Sequence, residues 1–459
     1  MFAGAASRAA DQRAELGAKI DPLFAQIVRS NWPGAAVLVA RDGVIIFDKG
    51  YGFAQLDSRM PMTTDTRSRI GSITKQFTSA AILKLAEAGK LSINDHLSKF
   101  LPDWPRGDEV TVRHLLNHSS GIHNYTEKPG FYAHVTEPIS LPELVASFKN
   151  DPYDFSPGEK YSYSNSGYVL LGYLIERVSG QSYESYIENT LLRPLGMKRT
   201  GVHHAGRPPA GEAFGYSYTN GTVQRAVNRD MSKVASAGEL YSTAHDLFLW
   251  NEAIFNDRIL SEASLKEAFT VGALKDDDPT HPEDIGYGLG WTMDRLNGAR
   301  EISHGGELSG FGSYLLRLPD DRLTVVVLLN CAPHLPNNQQ WVMAREIARR
   351  VMGSELPDEA TAKRFDIARI DLAIIPGKYD LGGGRVMTVT TEANHVFAQI
   401  TGRQRFEMVP KSDRKFFVPG GSAEATFVRN ADNHVVKAIL RQSGDRIDAP
   451  RLPGGVSPH

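Results

Sequence analysis

The strongest constraint on the fold of this chain is a pair of strand hairpins that lie far apart in the sequence. Residues 35–40 and 44–48 are strand-forming runs joined by an Asp-Gly pair, which is a strong hairpin signal. Residues 314–318 and 324–329 form a second pair, separated by a Pro-Asp-Asp turn. Helical patterns follow both hairpins, and broken helical segments fill the middle. We therefore expect an α/β (α+β) fold, with one antiparallel sheet built from both ends of this region, flanked by helices, plus a helical subdomain.

Apolar spacing and end signals predict the individual helices of this region. The predicted segments are 11–30, 72–88, 111–117, 168–178, 183–192, 243–255 and 341–351. One further strand is predicted at 289–293.

The sequence changes character after Gly353. Residues 353–370 are charged and contain Pro and Ala, which is typical of a linker. Short alternating strands separated by turn residues follow, at 387–391, 396–400, 406–409, 425–428 and 435–440. We therefore expect a domain over residues 1–352, a linker over 353–370 and a small antiparallel β-barrel over 371–459.

Composition argues against several classes of function. The 459 residues carry 51 Lys and Arg against 53 Asp and Glu, so no strong attraction to nucleic acid is expected. No run of 18 apolar residues appears, so no membrane span is predicted. The single cysteine, Cys331, is expected to be buried, and without a Cys/His cluster neither a metal nor another cofactor is expected. The first ten residues lack the apolar core of a signal peptide, which predicts the cytoplasm for a complete chain, and the periplasm or exterior if a leader was removed.

The segment Ser72-Ile73-Thr74-Lys75 places a hydroxyl and an amine on one face of a predicted helix start. A serine beside a buried lysine can be a nucleophile with its own base. The N–H groups at a helix start also favour developing negative charge. The alternative is an N-cap serine followed by a surface lysine. A second Ser-x-x-Lys match, from Ser412 to Lys415, is interpreted as a solvated turn.

A second polar segment is Tyr163-Ser164-Asn165, within a tyrosine-rich stretch. A neighbouring ammonium favours the phenolate form of a tyrosine, so a Tyr–Lys pair can relay a proton. The amide of Asn165 can hold a substrate carbonyl and the lysine. The alternative is a polar loop without a catalytic role.

The third segment, Ser303-His304-Gly305-Gly306-Glu307, combines a histidine with two glycines. Glycines let a bound acyl group approach an edge strand closely. His304 can supply a hydrogen-bond donor or a partial positive charge. The backbone N–H of Glu307 can complete an oxyanion hole. The alternative is a Gly-rich turn.

Taken in this order, Ser-x-x-Lys, Tyr-x-Asn and His-x-Gly resemble the three motifs of the serine β-lactamase/penicillin-binding protein superfamily. The similarity is to its class C β-lactamase-like branch, which includes D-alanyl-D-alanine carboxypeptidases, D-aminopeptidases and esterases. It covers roughly residues 15–352, with further similar stretches at 114–121, 237–243 and 287–291. The resemblance implies a β-lactamase/transpeptidase-like fold. The C-terminal barrel resembles the lipocalin-like domain of some family peptidases, which can narrow the active site or build a homo-oligomer.

The resemblance also implies a role for each motif residue. Ser72 is the expected nucleophile, Lys75 its activator, and Tyr163 the general base and the acid for the leaving group. The expected substrate-binding residues are Asn165, His304, Gly306 and Glu307, the last through its backbone N–H. Many family members have lysine where this chain has His304, which weakens the fixed positive charge that would hold a substrate carboxylate.

The leading hypothesis is therefore a serine hydrolase that acts through an acyl-enzyme on a small-molecule ester, amide or peptide, as an esterase or D-amino-acid peptidase. The alternative is a penicillin-binding protein or weak β-lactamase that acylates with little turnover. A third hypothesis is a lipid-binding protein that acts through the C-terminal barrel.

Overall fold

The computed structural model describes residues 2–25, 32–219, 222–272, 286–332, 340–353 and, with short gaps, most of 372–453. The chain separates into two compact units, Met1–Gly353 and Ser354–His459. The predicted linker at 353–370 lies outside the described residues except for Gly353.

The α-helices of the described residues lie in the first unit. In chain order they are α1 Phe2–Ala25, α2 Thr74–Glu87, α3 Val112–Leu116, α4 Leu141–Ala146, α5 Asn165–Ser179, α6 Tyr183–Ile187, α7 Arg193–Leu195, α8 Ala244–Phe255, α9 Glu262–Ala268 and α10 Gln340–Met352. The helix predicted at 11–30 begins earlier, at Phe2, and residues 26–31 lie outside the described part of the chain. The helix predicted at 183–192 divides into α6 and a π-helical turn, Glu188–Leu192.

The strands of the first unit form one large sheet and several small ones. They are β1 Ala35–Arg41, β2 Val44–Tyr51, β3 Phe53–Gln55, β4 Met60–Pro61, β5 Ser68–Arg69, β6 Gly201–Val202, β7 Tyr216–Thr219, β8 Thr222–Arg225, β9 Leu240–Ser242, β10 Gly286–Tyr287, β11 Thr292–Leu296, β12 Ala299–Leu308, β13 Phe311–Leu318 and β14 Leu323–Leu329. The large sheet has the order β10-β11-β12-β13-β14-β1-β2. Because β14 pairs antiparallel with β1, both ends of the region meet in one sheet, and the predicted architecture is confirmed.

The central strands of this sheet are buried on both faces. Ala36 and Leu38 of β1 pack into the main hydrophobic cluster, which also contains Phe77 of α2 and Trp250 of α8. Val37, whose side chain points to the opposite face, is fully buried too. Helices therefore cover both faces of the sheet. This explains why β1 lacks the alternation of apolar and polar residues that is typical of a strand with one exposed face.

The strand predicted at 289–293 is wrong in position, because β11 begins only at Thr292. Gly290 adopts a φ of +97°, which L side chains rarely adopt and which interrupts an extended strand. A Cβ at this position would also collide with the side chain of Ser79 on α2. The close approach of α2 therefore determines the local backbone here.

Strand β12 has a free edge over half of its length. Its pairing with β11 ends where Ser303 faces Thr292, whereas its pairing with β13 continues to Leu308. Among the described residues, 304–308 consequently pair with a strand on one side only.

The second unit is a nearly closed antiparallel β-barrel. Its strands, paired in chain order, are β15 Gly377–Asp380, β16 Val386–Glu392, β17 His395–Ile400, β18 Arg405–Pro410, β19 Lys415–Phe417, β20 Glu424–Arg429, β21 Val435–Gln442 and β22 Asp445–Pro450. The N–H of Leu452 donates to the carbonyl of Lys378 at 2.8 Å, which brings the first and last strands together. Tyr379, Phe416 and Phe427 fill the barrel interior.

A buried ionic cluster ties α10 to the sheet. The guanidinium of Arg345 lies 2.7 Å from the carboxylate of Asp294 on β11 and 2.8 Å from that of Glu301 on β12. Glu301 also accepts a hydrogen bond from the hydroxyl of Tyr314 at 2.9 Å. The cluster fixes the first half of β12 at Glu301. This residue lies two positions before Ser303, after which the free edge begins.

We expect Arg345→Met to lower the free energy of unfolding by about 3–5 kcal/mol, because it leaves buried carboxylates without a counter-charge. Chemical denaturation followed by tryptophan fluorescence measures this change. The matched control is Arg106→Met, which removes an exposed pair with Glu109 and should cost less than about 1 kcal/mol. Equal losses in the two variants would contradict the assignment of the cluster as a structural anchor.

Candidate active site

Ser72 lies in a short 3-10 turn, Gly71–Ile73, that leads directly into α2. The turn follows strand β5 and begins at Gly71, whose φ is +51°. Lys75 occupies the first turn of α2 and is fully buried. The spacing of three residues therefore puts both side chains on one face, as the sequence predicts.

The ammonium of Lys75 is surrounded by acceptors from three separate segments. Its Nζ lies 3.1 Å from Oγ of Ser72, 2.9 Å from Oδ1 of Asn165 and 2.9 Å from the carbonyl oxygen of Ala237. The ring of Tyr163 lies beside it, with Nζ 4.7 Å from the ring centroid. A charge removed from water needs such partners, and here they hold Nζ beside the hydroxyl of Ser72.

The ring of Tyr163 is positioned by a second aromatic layer. It lies against the imidazole of His118 at 4.2 Å between centroids. The N–H of Ser164 donates to Nδ1 of His118 at 3.1 Å, and the N–H of Ser162 donates to its carbonyl at 2.9 Å. His118 thus holds the backbone on both sides of Tyr163. Its pKa is far below the usual value, first because of burial and then because of nearby Lys75, so the ring is neutral.

Asn165 begins helix α5 and is fixed by its neighbours. Its backbone N–H donates to Oδ1 of Asn124 at 3.1 Å, and its Nδ2 donates to the hydroxyl of Thr126 at 3.3 Å. Since Oδ1 of Asn165 accepts from Lys75, the amide has one defined orientation.

The free edge of β12 packs against the turn that carries Ser72. A Cβ on Gly71 would lie 3.0 Å from the backbone nitrogen of Glu307, and a Cβ on Gly306 would collide with the carbonyl of Ile70. Glycine at both positions therefore lets the two backbones approach. The backbone N–H of Glu307 lies next to the Ser72 turn as a result.

His304 is neutral, and both of its ring nitrogens are engaged within the protein. Its Nδ1 donates to the carbonyl of Gly305 at 2.6 Å, so its Nε2 accepts from the hydroxyl of Tyr287 at 2.9 Å. Burial, followed by the charge of Lys75, lowers the pKa of His304 to about 3. The expected partial positive charge is therefore absent at neutral pH. Substrate contact by this residue stays a prediction.

A cleft of about 370 Å³ opens in front of these residues. Ser72, Asn165 and Glu307 line it together with Phe131, Tyr132 and Arg229. The predicted site residues thus form two layers. Ser72, Asn165 and Glu307 face the cleft, whereas Lys75 and His304 are buried behind it.

Several residues of this region were not singled out by sequence reasoning. Ala237 and Tyr287 lie in stretches noted only for family similarity, and His118 belongs to a third such stretch. Nothing in the sequence distinguishes Arg229 from other arginines. The second Ser-x-x-Lys match has a different environment, because Oγ of Ser412 accepts from the backbone of its own exposed turn.

Comparison with known proteins agrees with this fold. The Beta-lactamase family matches residues 20–349, and the chain belongs to this family. It is 29% identical to penicillin-binding protein 4* of Bacillus subtilis over 452 residues, which cover 94% of this chain and 98% of that protein.

Solved structures show the same similarity. The octameric penicillin-binding protein homologue from Pyrococcus abyssi is 26% identical with a TM-score of 0.66, over 95% of this chain and 99% of that one. A D-stereospecific amidohydrolase from Streptomyces sp. is 29% identical with a TM-score of 0.59, over 73% of this chain and 97% of that one. Within the described residues, no helix has the length and apolarity needed to cross a bilayer.

The loop that supplies the Ala237 carbonyl contains a buried acid, which generates a pH-dependent prediction. Burial raises the pKa of Glu239 to about 8, although its carboxylate accepts from the N–H of Ser236 at 2.7 Å. The folded pKa lies above the unfolded reference value of 4.5, so the folded state holds the proton more tightly. Protonation of Glu239 therefore stabilises the folded state. This stabilisation is complete below the unfolded pKa and is lost as the pH rises through the folded pKa of about 8.

We therefore expect Glu239→Gln to increase the free energy of unfolding at pH 8.5 by at most about 5 kcal/mol, and to change it little at pH 4. Thermal denaturation at both pH values checks this. Glu109, the exposed partner of Arg106, provides the control. Glu109→Gln should not raise the free energy of unfolding at pH 8.5. A Glu239→Gln effect that is independent of pH would contradict the raised pKa.

Proposed function

We propose that this protein is a serine hydrolase that forms an acyl-enzyme on Ser72 and acts on small esters, amides or peptides. The supporting observation is the buried Nζ of Lys75, 3.1 Å from Oγ of Ser72 at the wall of the cleft. A buried cation in contact with the serine hydroxyl favours the negative charge that develops on Oγ, so Ser72 is positioned as the nucleophile. In this proposal the N-cap alternative does not apply, because Lys75 is buried and contacts Ser72.

The proposed acylation uses the residues on both sides of the cleft. Tyr163, as the phenolate that the neighbouring Lys75 ammonium favours, accepts the proton of the Ser72 hydroxyl while Oγ attacks the substrate carbonyl. The N–H groups of Ser72 and Glu307 stabilise the oxyanion, and Asn165 orients the substrate. Tyr163 then returns the proton to the leaving group, and a water molecule hydrolyses the ester on Ser72 by the same steps in reverse.

The proposed substrate class follows from similarity and from the size of the cleft. The Streptomyces relative is described as a D-stereospecific amidohydrolase, so amides and peptides of D-amino acids are the first candidates, beside simple esters. A cleft of about 370 Å³ suits small substrates. His304 is neutral and lacks the fixed charge of a lysine, which favours an esterase or D-peptidase over an efficient β-lactamase.

Self-association is part of the proposal, because the Pyrococcus homologue is described as octameric and matches nearly the whole chain. Light scattering coupled to size exclusion measures the molar mass against the 50.5 kDa of one chain. A monomer at micromolar concentration would contradict this part.

The catalytic serine is tested with a matched pair of substitutions. We expect Ser72→Ala to reduce hydrolysis of p-nitrophenyl acetate by at least about 10³-fold and to abolish labelling by a fluorophosphonate, because the proposed acyl-enzyme forms on the Ser72 hydroxyl. Ser412→Ala alters the second Ser-x-x-Lys match and should leave both readouts unchanged. Retained turnover or labelling in Ser72→Ala would overturn the proposal.

The substrate class is ranked by a parallel assay. The wild-type protein is given p-nitrophenyl esters, D-amino-acid p-nitroanilides and nitrocefin, and kcat/KM orders the three classes. A burst of one product per active site without a steady state would identify instead a penicillin-binding protein that acylates once.

The close approach of β12 to the Ser72 turn is tested at Gly306. We expect Gly306→Ala to lower kcat about 10²-fold, because its Cβ collides with the Ile70 carbonyl and displaces the Glu307 N–H from the oxyanion. Gly206→Ala is the control, since a Cβ there has open space. Steady-state kinetics on the best ester measures both, and wild-type rates in Gly306→Ala would exclude an oxyanion role for this edge.

A further inference from the structure

The cleft contains a buried cation that the proposed mechanism does not use. Arg229 precedes the 3-10 turn Met231–Val234 and lines the same cleft as Ser72. Only 9% of the residue is exposed. Its Cζ lies 5.6 Å from the ring centroid of Phe131 and 5.8 Å from that of Tyr132, so two aromatic rings flank the guanidinium.

Arg229 differs from the other buried arginines in having no carboxylate partner among the described residues. Within the part of the chain that the structure describes, the other buried arginines each pair with a carboxylate, namely Arg69 with Glu212, Arg317 with Glu252, and Arg345 with Asp294 and Glu301. No described carboxylate forms an ion pair with Arg229, and its buried Nε has no hydrogen-bond partner there. An unpaired buried charge costs free energy, so this site favours an anion supplied from outside.

The backbone of Arg229 is fixed to the strand that leads to the nucleophile. Arg69 on β5 donates from Nη1 to the carbonyl of Arg229 at 3.2 Å and from Nη2 to Oδ1 of Asn228 at 2.7 Å. On the other side, the N–H of Asp230 donates to the carbonyl of Val135 at 2.8 Å. Since β5 continues through Ile70 and Gly71 to Ser72, the cation and the nucleophile share one rigid support.

The other titratable groups described around the cleft do not offer a free cation that could bind an anion in place of Arg229. His304 is neutral, and Nζ of Lys75 is engaged by Ser72, Asn165 and Ala237. Glu307 lines the cleft but forms no ion pair with Arg229 among the described residues. A guanidinium presents a planar fork of donors that matches a carboxylate.

We propose that Arg229 binds a free carboxylate of the substrate while the substrate carbonyl lies at Ser72. The inference rests on the proposed function and narrows it to carboxylate-bearing substrates. The carboxylate can belong to the acyl part or to the leaving group. In both cases Arg229 provides the preference for a charged substrate, because His304 is neutral.

Two ester pairs test the inference on the full-length protein. For the acyl side, p-nitrophenyl glutarate is compared with p-nitrophenyl pentanoate. For the leaving-group side, 3-acetoxybenzoate is compared with phenyl acetate. Each pair differs in the presence of the carboxylate, and kcat and KM are measured for the wild type, Arg229→Gln, Arg229→Lys and Arg225→Gln. Arg225 is a suitable control because it is an exposed arginine, 3.6 Å from Asp57, outside the cleft lining.

We expect Arg229→Gln to lower kcat/KM for the carboxylate member of one pair by about 10- to 100-fold, mainly through KM. The neutral member should change less than about threefold. Arg229→Lys should restore part of the preference, and Arg225→Gln should change neither member. The pair that responds identifies the side of the substrate that carries the carboxylate. Equal losses on both members of both pairs, or no loss, would overturn the inference.

A binding measurement separates this inference from the proposed function. In Ser72→Ala protein, calorimetry compares N-acetyl-D-alanine and glutarate with their uncharged amides. Preference for a carboxylate that disappears in Ser72→Ala/Arg229→Gln supports the inference even if no ester is hydrolysed. Absence of any such preference overturns it, while hydrolysis through Ser72 would leave the proposed function intact.

Discussion

The arrangement of the candidate site depends on the burial of one ammonium group, that of Lys75. A charge without access to water is stable only where acceptors surround it, and the acceptors here come from the 3-10 turn, from the start of α5 and from the loop before β9. These segments are far apart in the sequence. Packing of α2 between them therefore determines the position of Ser72 more than the local helix does.

The second constraint is the meeting of the two chain ends in one sheet. Pairing of β14 with β1 places β12 beside the turn that follows β5, although these segments are separated by the whole helical region. The ionic cluster at Arg345 fixes the root of β12, and paired glycines at Gly71 and Gly306 allow contact at its free edge. The end of β12 thus supplies one wall of the cleft, and 3-10 turns, loops and the start of α5 supply the other.

The sequence was sufficient for those features that depend on periodicity and on short motifs. The hairpin at the Asp42 turn, the helix after Ser72 and the barrel pattern after Gly377 follow from spacing and turn residues alone. The strand at 289–293 was misplaced because Gly290 takes its φ from contact with α2, which no local pattern encodes. The neutral state of His304, and the lack of a carboxylate partner for Arg229 in the described part of the chain, could not be predicted, since both depend on which groups the fold brings near them.

The hydrogen bonds of His304 have a consequence for how this motif can change. Its Nε2 accepts from Tyr287, and a lysine at 304 could only donate there. It would also place a second ammonium near Lys75 in a buried site. Exchange between the histidine and lysine forms of the motif therefore requires the Tyr287 hydroxyl to change from donor to acceptor, and it adds a charge near Lys75.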